Sequence, residues 1–380
     1  MSRNSSAEGA ENRPTAPLEG APIIARQDPT TQKSDRRRSS PTLAILARRL
    51  GVSSMAVSFA LNGRPGVSDE LRKAALELAE EVGYRPNLAA RTLRTERTAM
   101  MGIINRNLHN PAFLEVIEGF DEECSNHGYQ VMIGSSRLDL THEISLINAF
   151  SARELEGLAI APLAPQAALE AWQRNKNRPI AILSSAIATK NDLVVSIKTD
   201  SSMSVRLAVE HLHELGHTKI SLLVGTDTVP VDPELDQAFR TMMEERSLKP
   251  DFIACGWDLQ EARAIIGKRI AKVRPMPPTA IIASTDHLAH ATYLAARDIG
   301  LRIPEDLSVM GHDDVHTSQL LDPPLTTFRS DRFAIGQQSA RLLIDISRGT
   351  TPTERHITLP VALQIRGSTA QAHVSPRPTR

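Results

Sequence analysis

Three groups of side chains have types and spacings that could do chemistry. The first is the run Ser53-Ser-Met-Ala-Val-Ser-Phe-Ala-Leu-Asn62. At helical spacing Val57, Ala60 and Leu61 share one face and Ser54, Met55, Ser58 and Asn62 the other, a set small and polar enough to sit deep in a DNA major groove. Phe59 falls at the boundary, where it extends the core or touches thymine methyls. The second group is His211, His213 and His217; the last two stand one helical turn apart and could bind metal or simply be structural. The third is Cys124 and Cys255, which lie in unrelated contexts. Without a CxxC or Cys/His spacing they exclude a disulfide scaffold, make a structural zinc improbable and read as buried reduced thiols. No strand is followed by GxGxxG, and no Walker loop, GxSxG elbow or HExxH occurs. Neither catalytic residues, a metal nor a cofactor is expected, and the chain does not read as an enzyme.

The elements that must position these residues change character along the chain. Residues 1–40 are rich in Ser, Pro, Ala, Glu and Arg without an aromatic residue, the composition of a disordered tail. From Thr42 short helical periods begin. Leu43, Leu46, Ala47 and Leu50 make one apolar face that Gly51 terminates; Ser53 caps the next helix, and Ser68 opens a third with Asp69 and Glu70 in its first turn. Two short helices around a tight turn, with a third behind them, form a helix-turn-helix pattern. Beyond residue 99, strand candidates at Met101–Ile104, Gln130–Gly134, Gly157–Ala161, Ile180–Leu183, Ile220–Val224, Ala280–Ala283 and Leu307–Met310 alternate with helices such as Phe113–Cys124 and Ser202–Leu215. That alternation predicts an α/β fold with doubly wound parallel sheets, long enough to split into two lobes.

Charge follows the same division. The 380 residues carry 44 basic and 44 acidic side chains, a neutral total. Between Arg36 and Arg97, however, twelve are basic and six acidic, so the remainder carries the matching acidic excess. A localised basic segment over a helix-turn-helix favours double-stranded DNA as the partner over a protein-interaction role. No apolar run reaches the roughly 18–20 residues of a membrane span, and the N-terminus lacks a signal-peptide core, so no membrane partner and a cytoplasmic location are expected.

The stretch Leu46-Ala-Arg-Arg-Leu-Gly-Val-Ser-Ser-Met-Ala-Val-Ser-Phe-Ala-Leu-Asn62, with Gly66-Val-Ser68 and Gly83-Tyr-Arg-Pro-Asn-Leu-Ala-Ala-Arg-Thr-Leu93, resembles the headpiece and hinge of LacI/GalR-type bacterial transcription regulators. The resemblance continues in His211-Leu-His-Glu-Leu-Gly-His217, Gly300 to Asp314, Pro323 to Thr327 and Arg366 to Thr369. It implies a disordered tail (1–40), a three-helix DNA-binding headpiece (41–85), a hinge helix (86–97), a two-lobed periplasmic-binding-protein-like core (98–369) and a C-terminal tail (370–380). The function it implies is that of a homodimeric regulator on a pseudo-palindromic operator, most simply a repressor and alternatively an activator or corepressor-dependent regulator, controlled by a small-molecule effector such as a carbohydrate; a small-molecule-binding protein without DNA regulation is the alternative from another class.

Residue roles come from the same resemblance. Ser54, Met55, Ser58 and Phe59 would face the major groove, while Thr42, Ser53, Asn62, Ser68 and Asn87 would bond phosphates. Ala90 and Leu93 of the hinge would enter the minor groove, Leu93 as a wedge at a kinked base step. Many relatives carry Arg where this chain has Phe59, so a guanine contact is lost. Motif position places Asn110, Phe113, Ser184, Trp257, Thr285, Asp286, Asp313 and Arg332 around the effector. Asp286 capping its helix, Asp314 anchoring a turn and Trp257 lying in the core are the competing readings. The chain would cross between lobes near Lys198-Thr199, near Phe328 and near Arg355. Sugar-binding relatives commonly place Asp near Ser184, Asn at Thr285 and Arg near Leu235, all of which this chain lacks. The family pattern makes His211 and His217 structural.

Overall fold

The computed structural model describes residues 41–85, 97–108, 110–174, 178–185, 187, 189–225, 233–272 and 277–372. The tail at 1–40, most of the hinge segment with Asn87, Ala90 and Leu93, and the last eight residues lie outside the described residues. The chain divides into two compact units, Met1–Asn87 and Leu88–Arg380.

In the first unit, helices α1 (Leu43–Leu50), α2 (Ser54–Leu61) and α3 (Asp69–Glu81) enclose a small core. Leu46, Ala47, Val57, Ala60 and Ala75 are buried there, with Leu43, Leu50, Leu61, Leu71 and Leu78 packed against them. Gly51 ends α1 at φ +66°, a left-handed conformation that costs a residue with a Cβ, and the chain turns through 103° into α2. The angle lies in the range usual for a helix-turn-helix.

The second unit has two lobes. In the first, β1 (Met100–Asn105), β2 (Gln130–Ser135), β3 (Gly157–Ile160), β4 (Ile180–Leu183), β5 (Val194–Thr199) and β11 (His356–Leu359) make one sheet in the order β11-β5-β4-β3-β1-β2. In the second, β6 (Ile220–Gly225), β7 (Asp251–Cys255), β8 (Ala280–Ala283) and β9 (Ser308–Met310) make another in the order β7-β6-β8-β9. All pairings within both sheets are parallel, as the alternating pattern predicts. Parallel strands are usually joined by helical crossovers, and the helices here cover both faces of each sheet, which explains why β3, β4 and β8 are apolar and wholly buried.

Helix α4 (Ala112–Asn126) covers one face of the first sheet together with α11 (Arg332–Ser347), which returns from the far end of the chain; α5 (Leu140–Ala152) and α6 (Pro165–Gln173) cover the other. In the second lobe α7 (Ser201–Glu214) and α8 (Pro233–Glu245) lie on one face, α9 (Leu259–Lys272) and α10 (Asp286–Asp298) on the other. A short antiparallel pair, β10 (Thr327–Ser330) with β12 (Val361–Gln364), joins the second lobe beside Met310.

The chain passes between lobes after Thr199, after Ser330 and at Pro360. The third crossing corrects the sequence expectation of Arg355. That side chain is tied to the first lobe by Asp192, at 2.8 Å, and by the Asn191 carbonyl, so the chain first completes β11 as an edge strand.

Candidate nucleic-acid interface and ligand cleft

The headpiece turns one face of α2 outward, and the N-termini of α2 and α3 are both capped. Ser53 Oγ accepts from the Ala56 amide at 3.1 Å and Ser68 Oγ from the Leu71 amide at 3.2 Å. Each hydroxyl keeps its own proton, and so keeps a donor for a phosphate oxygen. Asn62 has its amide turned back to the Ser58 carbonyl, at 2.7 Å. Thr42 stands at the N-cap of α1 without a side-chain capping bond. On the outward face Ser54 is exposed, Met55 is 69% exposed, and Ser58 and Phe59 are half-buried. The Phe59 ring lies beside Arg64, whose guanidinium carbon is 5.8 Å from the ring centroid. Phe59 is thus neither closed into the core nor fully exposed.

In the core, a cleft of about 810 Å³ opens where the C-terminal ends of the strands of both lobes converge. That is the usual ligand position in open α/β sheets, because strand ends deliver loop side chains and helix N-termini to one place. Asn110, Phe113, Ser184, Trp257, Thr285, Asp313 and Arg332 all line it. Asn110 also holds the Ala112 amide at 3.0 Å, and Thr285 caps α10 through the Leu288 amide. Trp257 combines the two roles proposed for it: half-buried, it lines the cleft, stacks over Gly225 where a Cβ would collide with the indole, and packs on the core of the second lobe.

Asp286 requires a correction. It is wholly buried and does not line the cleft; its carboxylate accepts from the Val315 amide at 2.9 Å and the Ser318 and Thr327 hydroxyls at 2.6 and 2.5 Å. Burial, reinforced by the nearby Asp313 carboxyl, pushes its pKa up to about 6. Its work is to fix the loop after β9. Asp314 does likewise through Arg366, at 2.6 Å. Between these anchors Asp313 and Asp314 are held at φ +124° and +51°, a backbone region costly for residues with a Cβ and one that clusters at functional sites.

The cleft also gathers unmet hydrogen-bonding capacity. Among the described residues, Ser185 Oγ, His312 Nε2, Asp313 Oδ2 and Arg332 Nε are buried with no partner. Other such atoms, among them those of the Asn105 amide, lie away from the cleft, and buried polar groups are nearly always paired, so the four at the cleft are candidate donors and acceptors for a ligand. Arg332 is otherwise fixed by Glu115, at 2.8 Å, and by the Asp313 carbonyl, and so bridges the two lobes. Lys198 and Glu234 form a second bridge at 2.5 Å.

Sequence reasoning missed Arg106, Lys198, Glu234 and His312, all of which line the cleft. The available signal was position: Arg106 and His312 follow strand ends, Lys198 sits at the C-terminal end of β5, and Glu234 opens a helix. It also missed Glu143, buried on α5, whose two oxygens accept from the Leu163 amide at 3.1 Å and so fix the cleft wall after β3. Burial raises its pKa against the opposing effect of that bond.

The histidines are structural partners in the second lobe. His217 is bonded to Thr279, Ser308 and the Ala370 carbonyl at 2.9 to 3.0 Å, and His211 to Thr369 at 3.0 Å. Burial lowers the pKa of both. Cys124 and Cys255 are buried thiols outside any disulfide, and burial pushes the Cys124 pKa up to about 12.

Comparison with known proteins agrees with this two-part construction. Residues 42–87 match the model for bacterial regulatory proteins of the lacI family, and residues 209–369 match the periplasmic binding protein-like domain. Residues 42–87 are a lacI-type helix-turn-helix domain. It is 28% identical over 341 residues to the HTH-type transcriptional repressor CytR of Escherichia coli K12, covering 89% of this chain and 98% of that repressor. Catabolite control protein A of Priestia megaterium is 27% identical, covering 86% and 99%. Among solved structures, the Lac repressor dimer bound to operator and the anti-inducer ONPF superposes with a TM-score of 0.78 at 25% identity, covering 87% of this chain and all of that one. The chain thus carries a DNA-binding helix-turn-helix of lacI type and a Lac repressor-like core of parallel sheets. No single helix among its described residues is long and apolar enough to cross a membrane.

Proposed function

We propose that this chain is a cytoplasmic, non-enzymatic transcriptional regulator, most simply a repressor, whose operator affinity is set by a small molecule held between the lobes of its core. The observation that carries the reading is the joining, in one chain, of a capped helix-turn-helix to a cleft lined by unpartnered buried polar atoms. Asp313 supplies an acceptor, Arg332 a donor, and Trp257 and Phe113 apolar walls, a combination suited to a hydroxyl-bearing metabolite such as a carbohydrate. The Lac repressor likeness supports a homodimer that places two headpieces on a pseudo-palindromic operator. In that assembly Thr42, Ser53, Asn62, Ser68 and Asn87 contact phosphates, Ser54, Met55, Ser58 and Phe59 face bases, and Ala90 and Leu93 enter the minor groove.

Binding closes the lobes on the ligand and changes the headpiece spacing that the operator requires. The test is selection of duplexes by the full chain from a randomised library, followed by direct titration. The expected product is a two-fold-related site whose affinity falls steeply with salt and drops sharply in Leu93→Gly. Retention of DNA without sequence preference would exclude the regulator reading, and an unchanged affinity in Leu93→Gly would exclude the hinge wedge.

A further inference from the structure

Helix α2 consists of Ser-Met-Ala-Val-Ser-Phe-Ala-Leu, with neither a charged nor an amide side chain. Guanine is read in the major groove by Arg or Lys, adenine by Asn or Gln, and the cytosine amino group by an acid. None of these readers is on the helix. The nearest amide, that of Asn62, is engaged with the Ser58 carbonyl. Ser54 and Ser58 can donate or accept, so their hydroxyls discriminate poorly between base pairs.

What remains on the outward face is apolar. Met55 is 69% exposed, so its apolar side chain is open to a partner surface. Phe59 follows it by one helical turn on the same side. Its ring is half-buried beside Arg64 and Gly66, which leaves an edge accessible next to a guanidinium able to reach a phosphate. The major-groove feature that an apolar surface recognises is the C5 methyl of thymine.

We propose that α2 reads its half-site through thymine methyl groups, with Met55 and Phe59 as the specificity-determining side chains. The inference rests on the chain's being a DNA-binding regulator, and it assigns to the base pairs under α2 an A·T identity with thymine facing the helix. Base reading here is by burial of methyl groups, while hydrogen bonds and Arg64 serve the backbone.

The experiment uses the full chain and its selected operator, titrated at one fixed salt concentration, with deoxyuridine replacing thymidine at each pair under α2. That change deletes the methyl and leaves base pairing intact. Affinity should fall about fourfold per methyl removed, the factor that burial of one such group carries. Phe59→Ala and Met55→Ala should each weaken the thymidine operator and lose sensitivity to deoxyuridine. Where Phe59→Ala unfolds the headpiece, Met55→Ala, at an exposed position, carries the protein arm alone. A selected half-site without thymine under α2, or equal affinity for thymidine and deoxyuridine operators, overturns this proposal and leaves the regulator reading standing. Absence of any sequence-selective binding overturns both.

Discussion

Asp286 and Asp313 come from two motifs that the family pattern assigns to one pocket, and the fold gives them opposite work. Asp313 keeps an unpartnered oxygen at the cleft, whereas Asp286 spends its acceptors on Val315, Ser318 and Thr327. Motif position could not separate them, because the direction of each side chain depends on how the loop after β9 folds over α10. Their titration makes the difference measurable. Asp286 has its pKa raised to about 6 in the folded chain, above the unfolded carboxylate value of about 3.9, so its contribution to stability grows as pH falls from about 6 to about 4. His290, which reaches Ser318 at 3.5 Å, has its pKa lowered to about 4 by burial and acts in the opposite sense over the same window. Asp286→Asn should therefore make the loss of stability on acidification steeper than in the unaltered chain. It should also cost about 1–3 kcal/mol at neutral pH, since an amide cannot accept all three donors. Chemical denaturation at pH 7, 6 and 5 checks this; parallel stability profiles would show that the Asp286 carboxyl does not titrate as described.

At the scale of elements, helical periods, caps and most strands of the parallel sheets were legible, because apolar runs and stop signals are local. The strands at Val194–Thr199 and Asp251–Cys255 were not singled out: Ser196 and Lys198 interrupt the first, and Asp251 opens the second. Partners supply what sequence does not display. Ser196 Oγ pairs with His356 Nδ1 at 2.8 Å, and Asp251 with Ser221 and Arg269 at 2.5 Å. The return of α11 to the first lobe was equally invisible, since nothing local announces a contact between residues more than two hundred positions apart. There α4 and α11 cross so closely that a Cβ on Gly119 would overlap the Phe333 carbonyl and one on Gly336 the Val116 carbonyl. Gly336→Ala should destabilise the core by about 1–3 kcal/mol, the range of overpacking strain. It should also disturb Arg332, one helical turn away and part of the bridge between lobes. A shift of less than about 0.5 kcal/mol in a urea titration would mean that the crossing yields easily.

For the whole molecule, the neutral total charge conceals a basic headpiece region and an acidic remainder, a division the sequence displayed plainly. The cleft was legible only as a set of strand ends. Its bridges, Lys198 with Glu234 and Arg332 with Asp313 and Glu115, depend on lobe packing and on crossings that no periodicity encodes. Those bridges make the arrangement of the lobes a balance that a ligand between them can shift, and coupling of that kind typically changes a distant affinity by about 5- to 150-fold. On the proposed function, occupancy of this cleft controls operator binding. That control is tested most directly by the operator Kd of the full chain with and without each member of a metabolite panel chosen by thermal shift. At least one compound that stabilises the chain should change that Kd at least fivefold, and the change should vanish in Asp313→Ala while that variant's ligand-free operator Kd stays within about twofold of the original. Compounds that stabilise the chain through the cleft yet leave the operator Kd unmoved would contradict the account.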